Sequence, residues 1–263
     1  MRWARRQSDE VPTPLSDRED VVDGLRIFAR VPRSQRIEPS PTVILIHGLS
    51  ISSRYERPCL RRLAASCRVY APDLPGYGCS DDPPDTLSIG DLAGTLGRWL
   101  DVVGLDHVAL VGDSLGAHVA ASLARQRADT ISHLVLSGLS LDSTGRRRIT
   151  QVLRATRDIP REPVSLLPLH VRDAFNAGPG RVLRTLDSAI ADPFYDRLDE
   201  LTMPTLVVRG EHDPLAPPEW PRSVAARLPR GSFVEVPGAP HAVNYARPDA
   251  YAALILDWIT TPG

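Results

Sequence analysis

The residues best suited to chemistry are a serine, an aspartate and a histidine spread widely along the chain. Ser114 sits in Gly112-Asp113-Ser114-Leu115-Gly116. A strand that reverses directly into a helix forces its apex residue into a strained conformation, and a side chain two residues to either side would collide with the turn. Glycines at both positions remove the collisions and lift the serine hydroxyl at the positive end of a helix, the setting of a nucleophile. Such a hydroxyl reacts only when a base takes its proton and a buried acid orients that base. Asp213, in Arg209-Gly210-Glu211-His212-Asp213-Pro214, and His241, in Pro237-Gly238-Ala239-Pro240-His241, are the candidates. The chemistry expected of such a set is acyl transfer, in which His241 would accept the Ser114 proton as the oxygen attacks a carbonyl and water would then clear the acyl-enzyme.

Each of these residues follows a run that reads as a buried strand. His107 to Val111 precedes the serine turn, and the small-residue run Ala117 to Ala124 continues it as a helix. Thr42 to Ile46 is continuously apolar, as in a parallel sheet covered on both faces, and ends in His47-Gly48-Leu49-Ser50. Glycine there lets the loop turn and aim backbone N–H groups inward, so Leu49 and Leu115 are the expected oxyanion donors. Further strands are expected at Gly24 to Val31 (an edge strand), Val69 to Ala71, Leu134 to Ser137, Thr205 to Val208 and Phe233 to Val236. Helices are expected at Glu56 to Ser66 and from the Ser88–Asp91 capping box to Gly104, with Ile89, Leu92, Leu96 and Trp99 on one stripe. Strands alternating with helices give an α/β fold, a mostly parallel central sheet with helices on both faces and ligands at the carboxyl ends of the strands.

The rhythm breaks at residues 140–200, which carry helical patterning and prolines and no strand. They are expected to form a helical cap over the strand ends, between core segments 21–139 and 201–263. Phe175, Leu183 and Phe194 are expected on its underside, with His47 and Gly48 completing a pocket. Residues 1–20 read as a loose N-terminal arm.

Composition excludes other classes. A net charge of −1 over 263 residues supplies no global field to recruit nucleic acid or an anionic membrane, so a small, weakly charged substrate is the expected partner. The chain has no lysine, which rules out Schiff-base chemistry, a pyridoxal phosphate lysine and a Walker A loop. Three cysteines within Cys59 to Cys79 lack the number or spacing of a disulfide framework or zinc site, and no metal or organic cofactor is required. Neither a signal peptide nor a run of about 20 apolar residues is visible, so a cytoplasmic location is expected.

In the order of these motifs the chain resembles the α/β-hydrolase fold family, from the strand before His47 to the terminal helix between Ala246 and Ile259. That resemblance implies Ser114 as nucleophile, Asp213 as orienting acid, His241 as base and the Leu49 and Leu115 N–H groups as the oxyanion hole. Pro72 to Gly78 is similar to the family's Asp-x-x-Gly-x-Gly segment, and residues 140–200 to its cap. His212 adjoins the acid but lies on the wrong strand for the base, and Asp142 ranks behind Asp213. Asp113 is expected to support the turn and point away from the serine's partners; His107, His118, His133 and His170 are expected to be structural. Serine at the turn speaks against the haloalkane dehalogenases and epoxide hydrolases of the family, whose nucleophile is aspartate, and serine carboxylesterase is the first reading. Carbon–carbon bond hydrolase, thioesterase and lactonase are the alternatives within the class, and a non-catalytic binding protein on the same fold is the alternative outside it.

Overall fold

The computed structural model describes residues 13–36, 40–142 and 146–260. Two strands, β1 (Leu15–Val22) and β2 (Leu25–Pro32), open the chain. They are followed by β3 (Thr42–Ile46), α1 (Arg57–Leu63), β4 (Arg68–Pro72), α2 (Ile89–Val103), β5 (Val108–Asp113), α3 (Leu115–Gln126) and β6 (Ile131–Ser137). Three helices then come in succession, α4 (Arg148–Asp158), α5 (Leu167–Ala177) and α6 (Pro179–Ala191), with short 3-10 turns between α4 and α5 and before β7 (Thr205–Gly210). The chain closes with α7 (Glu219–Arg227), β8 (Gly231–Val236), α8 (Val243–Ala246) and α9 (Pro248–Thr260).

The strands form one sheet in the order β1-β2-β4-β3-β5-β6-β7-β8. The first two run antiparallel to their neighbours, and β4 through β8 are parallel. Side chains alternate across a strand, so a strand covered on both faces must be apolar at every position. β3 meets that demand: Val43 and Leu45 pack with Leu60 of α1 and Ile255 of α9, whereas Ile44 and Ile46 pack with Trp99 of α2 and Leu123 of α3.

α2 starts where the capping pattern places it. Ser88 Oγ accepts from the Asp91 N–H at 3.1 Å, the Asp91 carboxylate accepts from the Ser88 N–H at 3.1 Å, and Gly104 ends the helix in the left-handed conformation at φ 73°.

The N-terminal expectation needs correction. Residues 1–12 lie outside the described residues, but Leu15 to Asp20 belong to β1 and are not a loose arm. β1 therefore holds the sheet edge, and β2 is an interior strand between β1 and β4. Four consecutive charged residues, Asp17 to Asp20, conceal the strand pattern. They are partnered across it: Arg26 reaches Glu19 at 2.9 Å, Arg30 reaches Asp17 at 3.3 Å, and Trp99 Nε1 donates to Asp20 at 3.1 Å. Charge of this kind on an edge strand also discourages pairing with another chain. No helix among the described residues is long and apolar enough to cross a membrane.

Backbone crowding at the serine turn makes a paired substitution informative. A β-carbon on Gly116 would lie 2.1 Å from the Ile46 carbonyl oxygen, whereas one on Gly90 of α2 would meet nothing nearer than 3.8 Å. Gly116→Ala is expected to lower unfolding stability by about 1–3 kcal/mol and Gly90→Ala to raise it by about 0.5–1 kcal/mol, read by urea denaturation. Equal signs would contradict the packing described.

Candidate active site

Ser114 stands between β5 and α3 at φ 54° and ψ −114°, a conformation that costs a non-glycine residue about 1–3 kcal/mol. The surroundings hold it there. Its N–H donates to the Ser137 carbonyl at 2.8 Å. A β-carbon on Gly112 would lie 2.3 Å from the Gly116 carbonyl oxygen, so both flanking glycines are required by close approach. The loop after β3 abuts this turn, with the β-position of Gly48 3.3 Å from Ser114 Cβ. The Leu49 N–H donates to no backbone carbonyl among the described residues, and Leu115 opens α3, where the first N–H groups have no acceptor in their own helix. Ser114 Oγ itself makes no side-chain capping hydrogen bond.

Asp213 and His241 come together from the loops after β7 and β8. His241 Nδ1 lies 2.8 Å from Asp213 Oδ2. Oδ1 of the same carboxylate accepts from the N–H groups of Leu215 at 2.8 Å and Ala216 at 3.2 Å, and the side chain is wholly enclosed. Arg209 braces this loop from beneath: it donates to the carbonyls of Ala216 at 2.6 Å, Asp213 at 3.0 Å and Glu211 at 3.1 Å, and pairs with Glu235 at 2.7 Å.

The histidine ring reaches the serine turn. A β-carbon on Gly138, at the end of β6, would stand 2.8 Å from His241 Cε1 and 3.3 Å from Asp113 Oδ1. Asp113 therefore adjoins the ring, contrary to the expectation that it points away; Tyr55 OH also donates to its Oδ2 at 2.9 Å. Two acids from the segment between β6 and β7 also come near the ring. Glu162 Oε1 accepts from the Ala242 N–H at 2.7 Å, and Asp158 lies close enough to act on both Glu162 and His241.

This crowd of carboxyl groups sets the titration. Burial opposes a charged imidazole, but Asp213, its hydrogen bond, Asp113 and Asp158 outweigh burial and raise His241 to about 10. Burial pushes Asp113 up to about 6, with His241 and Tyr55 pulling the other way. Burial lifts Glu162 to about 8, aided by Asp158 and opposed by the Ala242 N–H. His170 of α5, expected to be structural, feels His241: burial first and that neighbouring cation second lower its pKa, while Asp173 opposes them.

The expected pocket residues divide. His47 is completely buried, accepting from the Leu74 N–H at Nε2 (3.0 Å) and facing the Gly48 carbonyl with Nδ1 (2.8 Å), so it braces its loop and offers no surface to a substrate. Phe175 is 84% exposed and Leu183 is exposed on α6, so neither forms an enclosed underside, while Phe194 is buried against the His118 ring of α3 at 4.8 Å. Periodicity marks these residues as one face of a helix without saying which way the face turns. Asp142 is held by Arg154 at 2.7 Å, and His212 is exposed, with its N–H on the Ala239 carbonyl. Arg209, Asp158 and Glu162 escape the sequence reading. Arg209 leaves a signal, a charge inside the apolar run Thr205 to Gly210, but Asp158 and Glu162 sit among arginines and prolines that look solvated.

Comparison with known proteins places this fold. A protein named "Putative carbamate hydrolase RutD" in Escherichia coli (strain K12 / DH10B) is 28% identical over 248 residues, covering 84% of this chain and 92% of the relative. An esterase from Thermogutta terrifontis superposes with a TM-score of 0.76 at 25% identity, covering 94% of this chain and all of that one. An enol-lactonase from Burkholderia xenovorans LB400 superposes at 0.77 and 22% identity, covering 93% and 100%, a likeness of fold. The model of the alpha/beta hydrolase family matches residues 43–254, a segment that includes Ser114, Asp213 and His241, and the chain belongs to the α/β-hydrolase family.

Proposed function

We propose that the protein is a serine hydrolase, a carboxylesterase acting on a small, uncharged and largely apolar acyl substrate through Ser114, His241 and Asp213. The observation that carries this reading is the 2.8 Å bond between His241 and buried Asp213, beside a serine held at positive φ on the same edge of the sheet. In this reading His241 Nε2 takes the Ser114 proton as Oγ adds to the substrate carbonyl. The Leu49 and Leu115 N–H groups receive the oxyanion. His241 returns the proton to the leaving alcohol, and water repeats the sequence to release the acid. Catalytic hydrogen bonds commonly close only around substrate, which accommodates the uncapped Ser114 hydroxyl.

The helices between β6 and β7 act as the cap, because Asp158 and Glu162 bring their charge to His241 and Glu162 ties the segment to the histidine loop. That acidic border favours a neutral ester over an anionic substrate. A neutral carbamate presents the same kind of carbonyl, so the relative's name is compatible with the mechanism. The described cysteines are all free thiols, consistent with a cytoplasmic setting.

Hydrolysis of p-nitrophenyl esters of graded chain length tests the assignment. Ser114→Ala is expected to lower kcat about a millionfold and Asp213→Asn about ten-thousandfold, with both variants folded by circular dichroism. A folded Ser114→Ala variant that retained wild-type turnover would overturn the reading.

The pH profile tests the environment of the base. A base works deprotonated, so a raised His241 pKa moves the acid limb of kcat/KM upward, and activity climbs into the alkaline range. The groups facing the ring are Asp213, Asp113, Asp158, Glu162 and His170. Asp158→Asn removes one negative neighbour and is expected to shift the limb to lower pH while leaving the plateau within about threefold. An unmoved limb would show that Asp158 does not act on the base.

A further inference from the structure

The inserted helices α4 and α5 are amphipathic in the reverse sense. On α4, Ile149, Val152 and Leu153 stand exposed along one stripe while Gln151 and Asp158 are buried. On α5, Leu167, Val171 and Phe175 recur every fourth residue in solvent while Asp173 is buried. The turns between the helices add Ile159 and Val164, the latter 87% exposed. A soluble surface helix ordinarily turns its apolar stripe inward.

The polar faces point inward because they grip the core. Gln151 donates to the Ser140 carbonyl at 2.9 Å, and Arg154 donates to Asp142 at 2.7 Å and to the Leu215 carbonyl at 3.1 Å. Asp173 accepts from Ser52 Oγ at 2.5 Å and pairs with Arg54 at 3.4 Å. Leu166, just before α5, packs with Ile51, Tyr55 and Ala242. These anchors all lie in loops beyond the carboxyl ends of β3, β6, β7 and β8. Both helices are therefore seated on the edge that carries Ser114 and His241, and both apolar stripes face away from it.

We propose that this outer face docks on an anionic lipid bilayer. Charge selects that occupant. Residues 146–184 hold nine arginines and three acids, Asp158, Glu162 and Asp173, and all three acids are turned into the structure. Arg147, Arg157, Arg161 and Arg172 are exposed around the stripe, and no salt bridge engages them among the described residues. A net charge of −1 for the whole chain conceals this local excess. An apolar stripe bordered by arginines matches the acyl boundary and phosphate layer of an anionic leaflet. A second copy would set the same arginines against each other across a two-fold interface. Docking would bring the edge that holds Ser114 close to the bilayer, and it does not depend on the hydrolytic assignment.

Full-length Ser114→Ala protein, which leaves lipid intact, is sedimented with vesicles of phosphatidylcholine alone or mixed equally with phosphatidylglycerol. Binding to the mixed vesicles is expected, falling about tenfold or more in Val171→Ser/Phe175→Ser, in Arg147→Gln/Arg157→Gln/Arg172→Gln, and on raising NaCl from about 0.05 M to about 0.5 M. The altered side chains are exposed, so thermal unfolding should not move; if one variant unfolds, the other and the salt series still decide. Failure to bind the mixed vesicles, or binding that neither variant weakens, overturns the proposal. A dimer in sedimentation velocity that Val171→Ser/Phe175→Ser dissociates also overturns it, by giving the face to a second copy.

Discussion

The structure depends on how closely α3 is allowed to approach β3. Gly116 sits with no room for a β-carbon against the Ile46 carbonyl, and that contact seats the first turn of the helix over the end of the neighbouring strand. Gly112 folds back on Gly116 in the same way. With both contacts made, Ser114 has no relaxed conformation open to it, and the strain is sustained by a sheet whose central strands are buried on both faces. The loop after β3 is drawn alongside, with Gly48 against Ser114. Strain at the apex and rigidity beneath it have one origin.

Electrostatics supplies the second layer. Four carboxyl groups, from Asp113, Asp158, Glu162 and Asp213, converge on one imidazole. Asp213 has a distinct place among them, since its second oxygen is saturated by two backbone N–H groups and its loop is laced together by Arg209. Asp113, Asp158 and Glu162 each keep a buried oxygen without a hydrogen-bond partner. They are burial-raised acids, suited to modulating His241 more than to orienting it. Because two of them arrive on the inserted segment, the placement of those helices and the basicity of His241 are coupled.

What can be read from the sequence follows the strength of each local constraint. The buried strands, the α2 cap at Ser88 and the spacing around Ser114 are dictated by periodicity and sterics, and the structure has them where those rules put them. β1 is obscured because its stability comes from cross-strand ion pairs and the Trp99 bond, which exist only after folding. Phe175 and Leu183 mislead for a related reason: an amphipathic pattern identifies a face, and only tertiary contacts such as Asp173 to Ser52 decide whether that face turns in or out. Glu162 meets Ala242 across eighty residues of sequence, so its role has no local signature at all.

The proposed role of Ser114 as nucleophile rests on the strained turn. Reaction of the folded protein with a fluorophosphonate, followed by intact-mass measurement and peptide mapping, tests it most directly. One adduct per chain, on the peptide containing Ser114 and lost in His241→Ala, is the expected result. An adduct on another residue, or none on protein that melts cooperatively, would contradict it.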